Sequence, residues 1–288
     1  MENAQDLNEK GRELHRDGDL AGAEAAYREA IAAAPHWSVP YFNLGLVYKY
    51  DSRWVESLEY NQRAAALDAN DEGSWWNLGI AATALGNWSE ARRAWSHCGM
   101  TVPPGDGPPE FRFGNTPIRL DPGGNAEVVW ARRLDPARAR ILSVPLPTSP
   151  HNAHAVVLND GAPDGHRRVG DVDYPVFNML AVLEPSPLAK YVIELATVDP
   201  KAVEALERIA FELEGAAENW GRSTNIMCAD CSRGLPHEHP DSERQPAHPH
   251  CGLAAKNDDH AEQIIRTWLD TAAKADLIRW YDPAAGAE

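Results

Sequence analysis

Long hydrophobic runs are missing from this 288-residue chain. No stretch approaches the roughly 20 consecutive apolar residues that a membrane-spanning helix requires, so no membrane segment is expected. The first six residues are polar and acidic, unlike the basic and apolar regions of a secretory signal. These absences predict a cytoplasmic protein.

Positive charge is also scarce. The chain has 27 Lys and Arg against 43 Asp and Glu, which gives a formal net charge of -16. Nucleic acid is therefore not expected as a partner, because binding a polyanion needs a basic surface. By net charge alone, basic or neutral partners fit better. Hydrophobic residues make up 43% of the chain, enough for a sizeable core and, at this length, for two domains.

Familiar catalytic motifs are absent. The sequence contains no glycine-rich loop of the kind that cradles phosphate, and no Gly-x-Ser-x-Gly nucleophile elbow. The short run 121–125 is only a turn signal. No catalytic residue is assigned from sequence, and a non-enzymatic function is favoured.

An internal repeat is present in the first third of the chain. Gly11, Gly45 and Gly79 are spaced 34 residues apart, and a fixed period of this length indicates a repeat architecture. A large residue stands four positions before each glycine: Leu7, Tyr41 and Trp75.

The second half of each copy follows the same phase. Small and aromatic residues recur there: Ala23 and Ala91, Tyr27 and Trp95, Ala30 and Ala64. Gly18 and Gly86 stand where a hairpin has to turn, and Pro35 and Pro103 close the first and third copies. The second copy departs from the pattern at Ser57, Asn61 and Ala69.

Residues 4–104 resemble the tetratricopeptide repeat (TPR) family. The resemblance implies three helical hairpins over residues 1–103, stacked so that the first helix of each hairpin lines a concave face. Gly or Ala at a helix crossing allows close backbone approach, and the large side chains fill the space beside it. Such a face implies a protein or peptide partner.

The repeat phase identifies the residues of that face, which we call the first-helix face. It comprises Asn8, Arg12, His15, Arg16, Val39, Phe42, Asn43, Leu46, Tyr50, Trp76, Asn77, Ile80 and Thr83. The partner-binding residues are predicted to be Asn8, Arg12, Phe42, Asn43, Leu46, Trp76, Asn77 and Ile80.

Asn43 and Asn77 share one register, two residues before the repeat glycine. In peptide-binding members of the family, Asn at this register bonds the backbone of an extended ligand, which suits a group with both donor and acceptor. A clamp for two carboxylates is disfavoured, since Gly73 and Asn77 stand where it needs basic residues. An alternative is that the protein's own second domain covers the apolar part of the face.

A Pro- and Gly-rich linker, residues 104–116, separates the repeats from the rest of the chain. Residues 117–288 are predicted to form an α+β domain with an antiparallel sheet or a small barrel. Predicted strands cover 126–132, 140–144, 153–158, 172–177, 180–183 and 191–195, and predicted helices cover 199–215 and 258–275.

A cluster of cysteines and histidines lies in residues 228–251, which the prolines around it indicate is a loop. A Cys-x2-Cys turn can place two thiolates on one cation, and a later pair completes a tetrahedron. We predict a structural Zn²⁺ held by Cys228, Cys231, His239 and Cys251, with His237, His248 and His250 as alternates. A redox pair or a metal-free surface loop are the alternatives.

The leading hypothesis is an adaptor that binds a protein or peptide through the first-helix face, with a zinc-stabilised second domain. One alternative is a metal-dependent enzyme in which the Cys/His loop holds a catalytic zinc. Another is an immunity-type or regulatory protein that sequesters a cognate partner, which the -16 charge would suit if the partner is basic.

Overall fold

The computed structural model describes residues 3–124, 127–196, 199–223, 250–271 and 276–284. The chain divides into two compact units. The first, called here the helical unit, is Met1–Arg112 together with Leu134–Arg138, and the second, called the β-rich unit, is Phe113–Arg133 with Ala139–Glu288. The division falls inside the predicted 104–116 linker and adds a short piece of later sequence to the helical unit.

The helical unit contains three helical hairpins at the predicted period. The first helices are α1 (Ala4–Arg16), α3 (Ser38–Tyr50) and α5 (Glu72–Ala84). Their partners are α2 (Leu20–Ala33), α4 (Trp54–Leu67) and α6 (Trp88–His97). The TPR predicted for residues 4–104 is confirmed.

The helices of each hairpin cross at the repeat glycine. A Cβ atom at Gly79 would lie 2.4 Å from the Trp95 ring, and one at Gly11 would lie 2.6 Å from the Tyr27 ring. Trp95 is fully buried and Tyr27 is 1% exposed. Glycine is therefore required by close packing against a rigid aromatic ring.

In the second hairpin, polar side chains and not an aromatic ring pack against the repeat glycine where the two helices cross. Asn61 replaces the aromatic residue, and a Cβ at Gly45 would lie 2.5 Å from its amide nitrogen. Asn61 donates to the Ser57 carbonyl at 2.7 Å, and the Ser57 hydroxyl donates to the Gly45 carbonyl at 3.0 Å. The departures at Ser57 and Asn61 thus belong together, because the Asn61 amide nitrogen donates to Ser57 and the Ser57 hydroxyl donates to the facing helix.

The turn Leu134–Arg138, which connects two strands of the β-rich unit, belongs to the helical unit. Asp135 is fully buried and accepts hydrogen bonds from the backbone N–H groups of Ala137 and Arg138, at 2.8 and 2.7 Å, and from Arg138 Nε at 2.5 Å. The Arg138 guanidinium also donates to the Pro109 carbonyl and lies 5.0 Å from the Trp88 ring. A buried ion pair therefore anchors this turn beside α6.

The β-rich unit begins with a closed five-stranded barrel in the order β1-β2-β3-β4-β5. Its strands are β1 (Asn115–Leu120), β2 (Glu127–Arg133), β3 (Arg138–Ile141), β4 (Val156–Val169) and β5 (Val172–Glu184). Parallel pairing of β1 with β5 closes the barrel around an apolar interior that includes Ile118, Val129, Ile141 and Phe177.

A four-stranded antiparallel sheet follows, in the order β7-β8-β6-β9. Its strands are β6 (Ala189–Leu195), β7 (Ala216–Asn219), β8 (His250–Ala255) and β9 (Leu277–Tyr281). Helix α7 (Pro200–Glu212) lies between β6 and β7, the short helix α8 (Trp220–Ser223) follows β7, and α9 (Asp258–Thr271) precedes β9. Apart from α8, the elements in the described ranges follow the β-α-β-β-α-β order of the ferredoxin-like arrangement.

The predicted α+β class of the second domain is confirmed, with both a barrel and an antiparallel sheet. Two details of the second domain differ from the prediction. The predicted strands 172–177 and 180–183 form the single strand β5, and the end of the predicted loop 228–251 is strand, since β8 starts at His250.

Candidate functional site: the first-helix face

The first-helix face is a real shared surface of α1, α3 and α5, because these helices contact one another in sequence order. Hydrogen bonds cross it between neighbouring repeats. Asn43 Nδ2 donates to Asn8 Oδ1 at 2.9 Å, between the first and second repeats. Lys49 Nζ donates to Asn77 Oδ1 at 3.1 Å, between the second and third repeats.

These hydrogen bonds limit which of the two asparagines at the shared register, Asn43 and Asn77, has groups left to bond a ligand. Asn77 is 6% exposed and Lys49 is 3% exposed, so the amide of Asn77 serves a buried contact between repeats. Asn43 is half-buried and keeps one amide N–H and its carbonyl oxygen for other bonds. Only Asn43 is therefore placed to bond the backbone of a ligand.

The accessibility of the face differs from one end to the other. On α5, Ile80 is fully buried and Thr83 is 2% exposed. The position of Ile80 and Asn77 does not favour the prediction that they contact a partner, because Ile80 is fully buried and Asn77 is 6% exposed. Trp76 is half-buried and packs edge-on against Trp95, with ring centroids 5.4 Å apart.

The α1 and α3 portion of the face is open. Val39 is 39% and Tyr50 is 53% exposed, while Phe42 and Leu46 are half-buried. Asn8 was also predicted to bind the partner, but it is as buried as Asn77, at 6% exposure, and accepts the hydrogen bond from Asn43. We call this portion the open groove: Arg12, His15, Arg16, Val39, Phe42, Asn43, Leu46 and Tyr50.

A shallow cavity of about 290 Å³ lies at one end of the open groove. It is lined by Arg12, His15, Arg16, Tyr27, Asn43 and Leu46. Burial lowers the pKa of His15 below its usual value, so this imidazole is neutral at physiological pH. The cavity thus combines two cationic guanidinium groups with an amide, an imidazole and an aliphatic side chain.

The structure shows only two of the proposed zinc ligands. Cys228, Cys231, His237, His239 and His248 lie outside the described residues, so their assignment stays a prediction. Within the described ranges, no group of three or more His, Cys, Asp or Glu is arranged to hold a metal ion.

His250 and Cys251 are neighbours on β8, so their side chains point to opposite faces of the sheet. Cys251 is fully buried in the apolar cluster that α7 and α9 form on the sheet. Burial raises the pKa of its thiol to about 12. Cys251 therefore does not fit the fourth ligand position, whereas His250 is partly exposed on the other face.

A second group of ionisable residues lies in the β-rich unit. Burial raises the pKa of Glu127 to about 7 and lowers that of Lys190 to about 8, and such shifts are common at functional sites. Both side chains bond the backbone of Leu146: Glu127 accepts from its N–H at 3.1 Å, and Lys190 donates to its carbonyl at 2.7 Å. Their polar groups hold the β3–β4 connection in place, which is a structural role.

Among the described residues, no helix is both long and apolar enough to cross a membrane.

Comparison with known proteins gives matches among solved structures only. No protein-family model matches the chain, and no curated protein is significantly similar to it. Solved structures do match, among them the second TPR of Spaghetti (RPAP3) bound to the HSP90 peptide SRMEEVD, at 22% identity and a TM-score of 0.32. That match covers 33% of this chain and 89% of the other.

Two further matches have the same extent. The TPR2B domain of yeast Sti1, in a complex with pHsp70, is 21% identical and the Arabidopsis OM64 TPR domain is 19% identical, both with a TM-score of 0.32. Each covers 33% of this chain, and 75% and 78% of the other chain respectively. The similarity is confined to the repeats, whose fold is evident from the helices themselves.

Proposed function

We propose that the protein is an interaction adaptor whose open groove binds an extended segment of a partner protein. The observation that carries this proposal is the half-exposed apolar strip on α3, where Val39, Phe42, Leu46 and Tyr50 line one side of the face. Contiguous apolar side chains at a rigid surface commonly mark a binding site. Asn43 stands among them with unused hydrogen-bonding capacity.

The first prediction concerns this strip. The partner is first captured from the native cell. Phe42→Ala in this protein should weaken its binding to that partner by about 10- to 30-fold, as expected for an aromatic side chain that contributes about 2 kcal/mol. Asn43→Ala should weaken it by about three- to tenfold, the value of one hydrogen bond. Both effects are measured by titration of the purified partner, with circular dichroism confirming that each variant is folded.

The matched control is Val55→Ala, because Val55 is 63% exposed on α4, outside the first-helix face. Its binding should equal that of the unaltered protein. Asn77 is not a suitable target, since its removal would leave Lys49 buried without this acceptor. Undiminished binding by both Phe42→Ala and Asn43→Ala would refute the groove assignment.

We also propose a zinc-stabilised β-rich unit, on the ligand chemistry of residues 228–250. Cys228, Cys231 and His239 remain the proposed ligands, and the position of Cys251 favours His250 as the fourth. A site closed by four protein ligands would be structural.

The second prediction tests this assignment. Elemental analysis of the purified protein should give about one zinc per chain, and Cys228→Ser should remove it. Cys251→Ala should retain the metal while losing stability, since Cys251 lies in the core. Absence of metal from the unaltered protein would refute the site, and loss of zinc in Cys251→Ala with the fold intact would restore Cys251 as a ligand.

A further inference from the structure

A cavity of about 450 Å³ opens between helices of the first two repeats. Its apolar walls are Ile31 from α2, Tyr41 from α3, and Tyr60 and Ala66 from α4. The centroids of the two tyrosine rings are 6.2 Å apart. We call it the tyrosine cavity, and it shares no lining residue with the open groove. Its volume suits a small molecule, since ligand sites typically measure about 300–1,000 Å³.

A carboxylate and a guanidinium group also line the tyrosine cavity without pairing with each other. They belong to Glu59 and Arg63, which are both exposed on α4. A Glu four residues before an Arg on a helix surface commonly forms an ion pair, as Glu24 does with Arg28 at 3.0 Å. Arg63 instead lies 5.9 Å from the centroid of the Tyr41 ring. Within the part of the chain that the structure describes, neither Glu59 nor Arg63 has an ion-pair partner.

The lining of the tyrosine cavity is neutral overall but carries both signs, one negative and one positive. The charged groups beside it cancel as well. Glu90 accepts a hydrogen bond from the lining residue Gln62 and pairs with Arg93. Arg28 lies 5.8 Å from one of the tyrosine rings and pairs with Glu24. A complementary ligand must therefore carry both signs too, because a purely anionic or cationic ligand would leave one lining charge facing a like charge.

An α-amino acid with an aromatic side chain has the required groups. Its carboxylate can accept two parallel hydrogen bonds from Arg63, because a guanidinium beside an aromatic ring keeps its N–H donors. Its ammonium group can donate to Glu59. These two residues are about 6 Å apart along the axis of α4, so one small molecule can reach both. Its ring would pack beside Tyr41 and Tyr60, as aromatic rings do in offset or edge-on pairs.

We propose that the tyrosine cavity is a binding site for a free aromatic amino acid, whose carboxylate binds Arg63 and whose ammonium group binds Glu59. The side chain of the ligand occupies the cavity against Tyr41 and Tyr60. The inference goes beyond the proposed function and does not depend on it, because the open groove and the tyrosine cavity have different lining residues.

The test measures binding of L-phenylalanine to the full chain by ligand-observed nuclear magnetic resonance. The expected Kd is about 0.1–1 mM, the range for so small a ligand at an open site. Three analogues separate the contributions: phenethylamine has no carboxylate, 3-phenylpropionate has no ammonium group, and N-acetyl-L-phenylalaninamide has neither charge. Each should bind about tenfold more weakly or worse, because each loses at least one hydrogen-bonded charge.

Variants locate the site. Arg63→Gln and Glu59→Gln should each weaken L-phenylalanine binding about tenfold, and since both residues are exposed, the fold should be retained. Two controls should leave the affinity unchanged: Arg16→Gln, which removes an exposed positive charge on α1, and Phe42→Ala, which alters only the open groove.

Three results would overturn the proposal. Equal affinity for N-acetyl-L-phenylalaninamide would show that the cavity accepts the side chain of a protein and not a free amino acid. Unchanged binding by both Arg63→Gln and Glu59→Gln would place the ligand elsewhere. No binding of L-phenylalanine at millimolar concentration would refute the site, while partner binding through Phe42 would stand unaffected.

Discussion

Replacing Asp135 with alanine should destabilise the protein by about 3–5 kcal/mol, the largest effect expected of any single substitution discussed above. The carboxylate of Asp135 is fully buried and bonds both the Arg138 guanidinium and two backbone N–H groups. Without it, Arg138 would remain buried at 4% exposure with its ion pair broken. Thermal and urea denaturation measure the loss.

Hydrogen exchange locates the part of the chain that Asp135→Ala destabilises. Because Arg138 lies over the Trp88 ring at the start of α6, amides of α6 should exchange faster in Asp135→Ala. Asp173→Ala is the control, since Asp173 pairs with Arg168 at an exposed position, with side chains 44% and 68% exposed. It should cost less than about 1 kcal/mol. Equal costs for the two variants would contradict the structural role assigned to Asp135.

Gly79→Ala is expected to cost about 2–3 kcal/mol, the upper range for an overpacked core. The new methyl group would lie 2.4 Å from the ring of Trp95, which is fully buried and has no room to move aside. α5 and α6 would have to separate at their crossing. The change in free energy is measured by urea denaturation followed by far-ultraviolet circular dichroism.

Two other glycines provide the comparison. Gly107→Ala should be nearly neutral, because no atom lies within 4 Å of its Cβ position. Gly45→Ala should also be costly, since its methyl group would lie 2.5 Å from the amide nitrogen of Asn61, a fully buried side chain that is hydrogen-bonded to Ser57. If Gly79→Ala proved as mild as Gly107→Ala, the rigid contact with Trp95 would not explain why glycine recurs every 34 residues in the repeats.

The helical unit was predictable because one geometric requirement recurs at a fixed distance along the chain. Wherever the helices of a hairpin cross, a residue without a side chain must face a large one, as Gly11 faces Tyr27 and Gly79 faces Trp95. The second repeat satisfied the same requirement with Asn61 and Ser57. The 34-residue phase therefore located all three hairpins, including the one with unusual residues.

The β-rich unit was predicted less completely because several of its strands have weak local signals. β1 contains Pro117, and β8 follows directly on the run of histidines and prolines. β4 contains Gly161 and Gly165, which read as turns, although the strand continues through them with shifts of register against β5. Pairing with strands distant in the sequence decides β1 and β8, and pairing with β5 keeps β4 extended through its glycines.

For the candidate site, the repeat phase predicted which residues share a face but not which of them reach solvent. Phe42 and Ile80 have equivalent chemistry on equivalent helices, yet Phe42 is half-exposed and Ile80 is fully buried. Similarly, the spacing of Cys251 from the other cysteines suited a metal, but alternation along β8 turns its thiol into the core. Solvent exposure depends on the assembled fold.

The turn Leu134–Arg138 has a consequence for how the protein is made. The last repeat helix ends at His97 and the first segment of the helical unit ends at Arg112, but the unit also includes this turn, which is synthesised after β1 and β2. At about 5–20 residues per second, the ribosome adds it about one to five seconds later. The helical unit of the nascent chain therefore stays incomplete until this turn is synthesised. A chaperone that binds the chain before then would find the Trp88 ring not yet covered by Arg138.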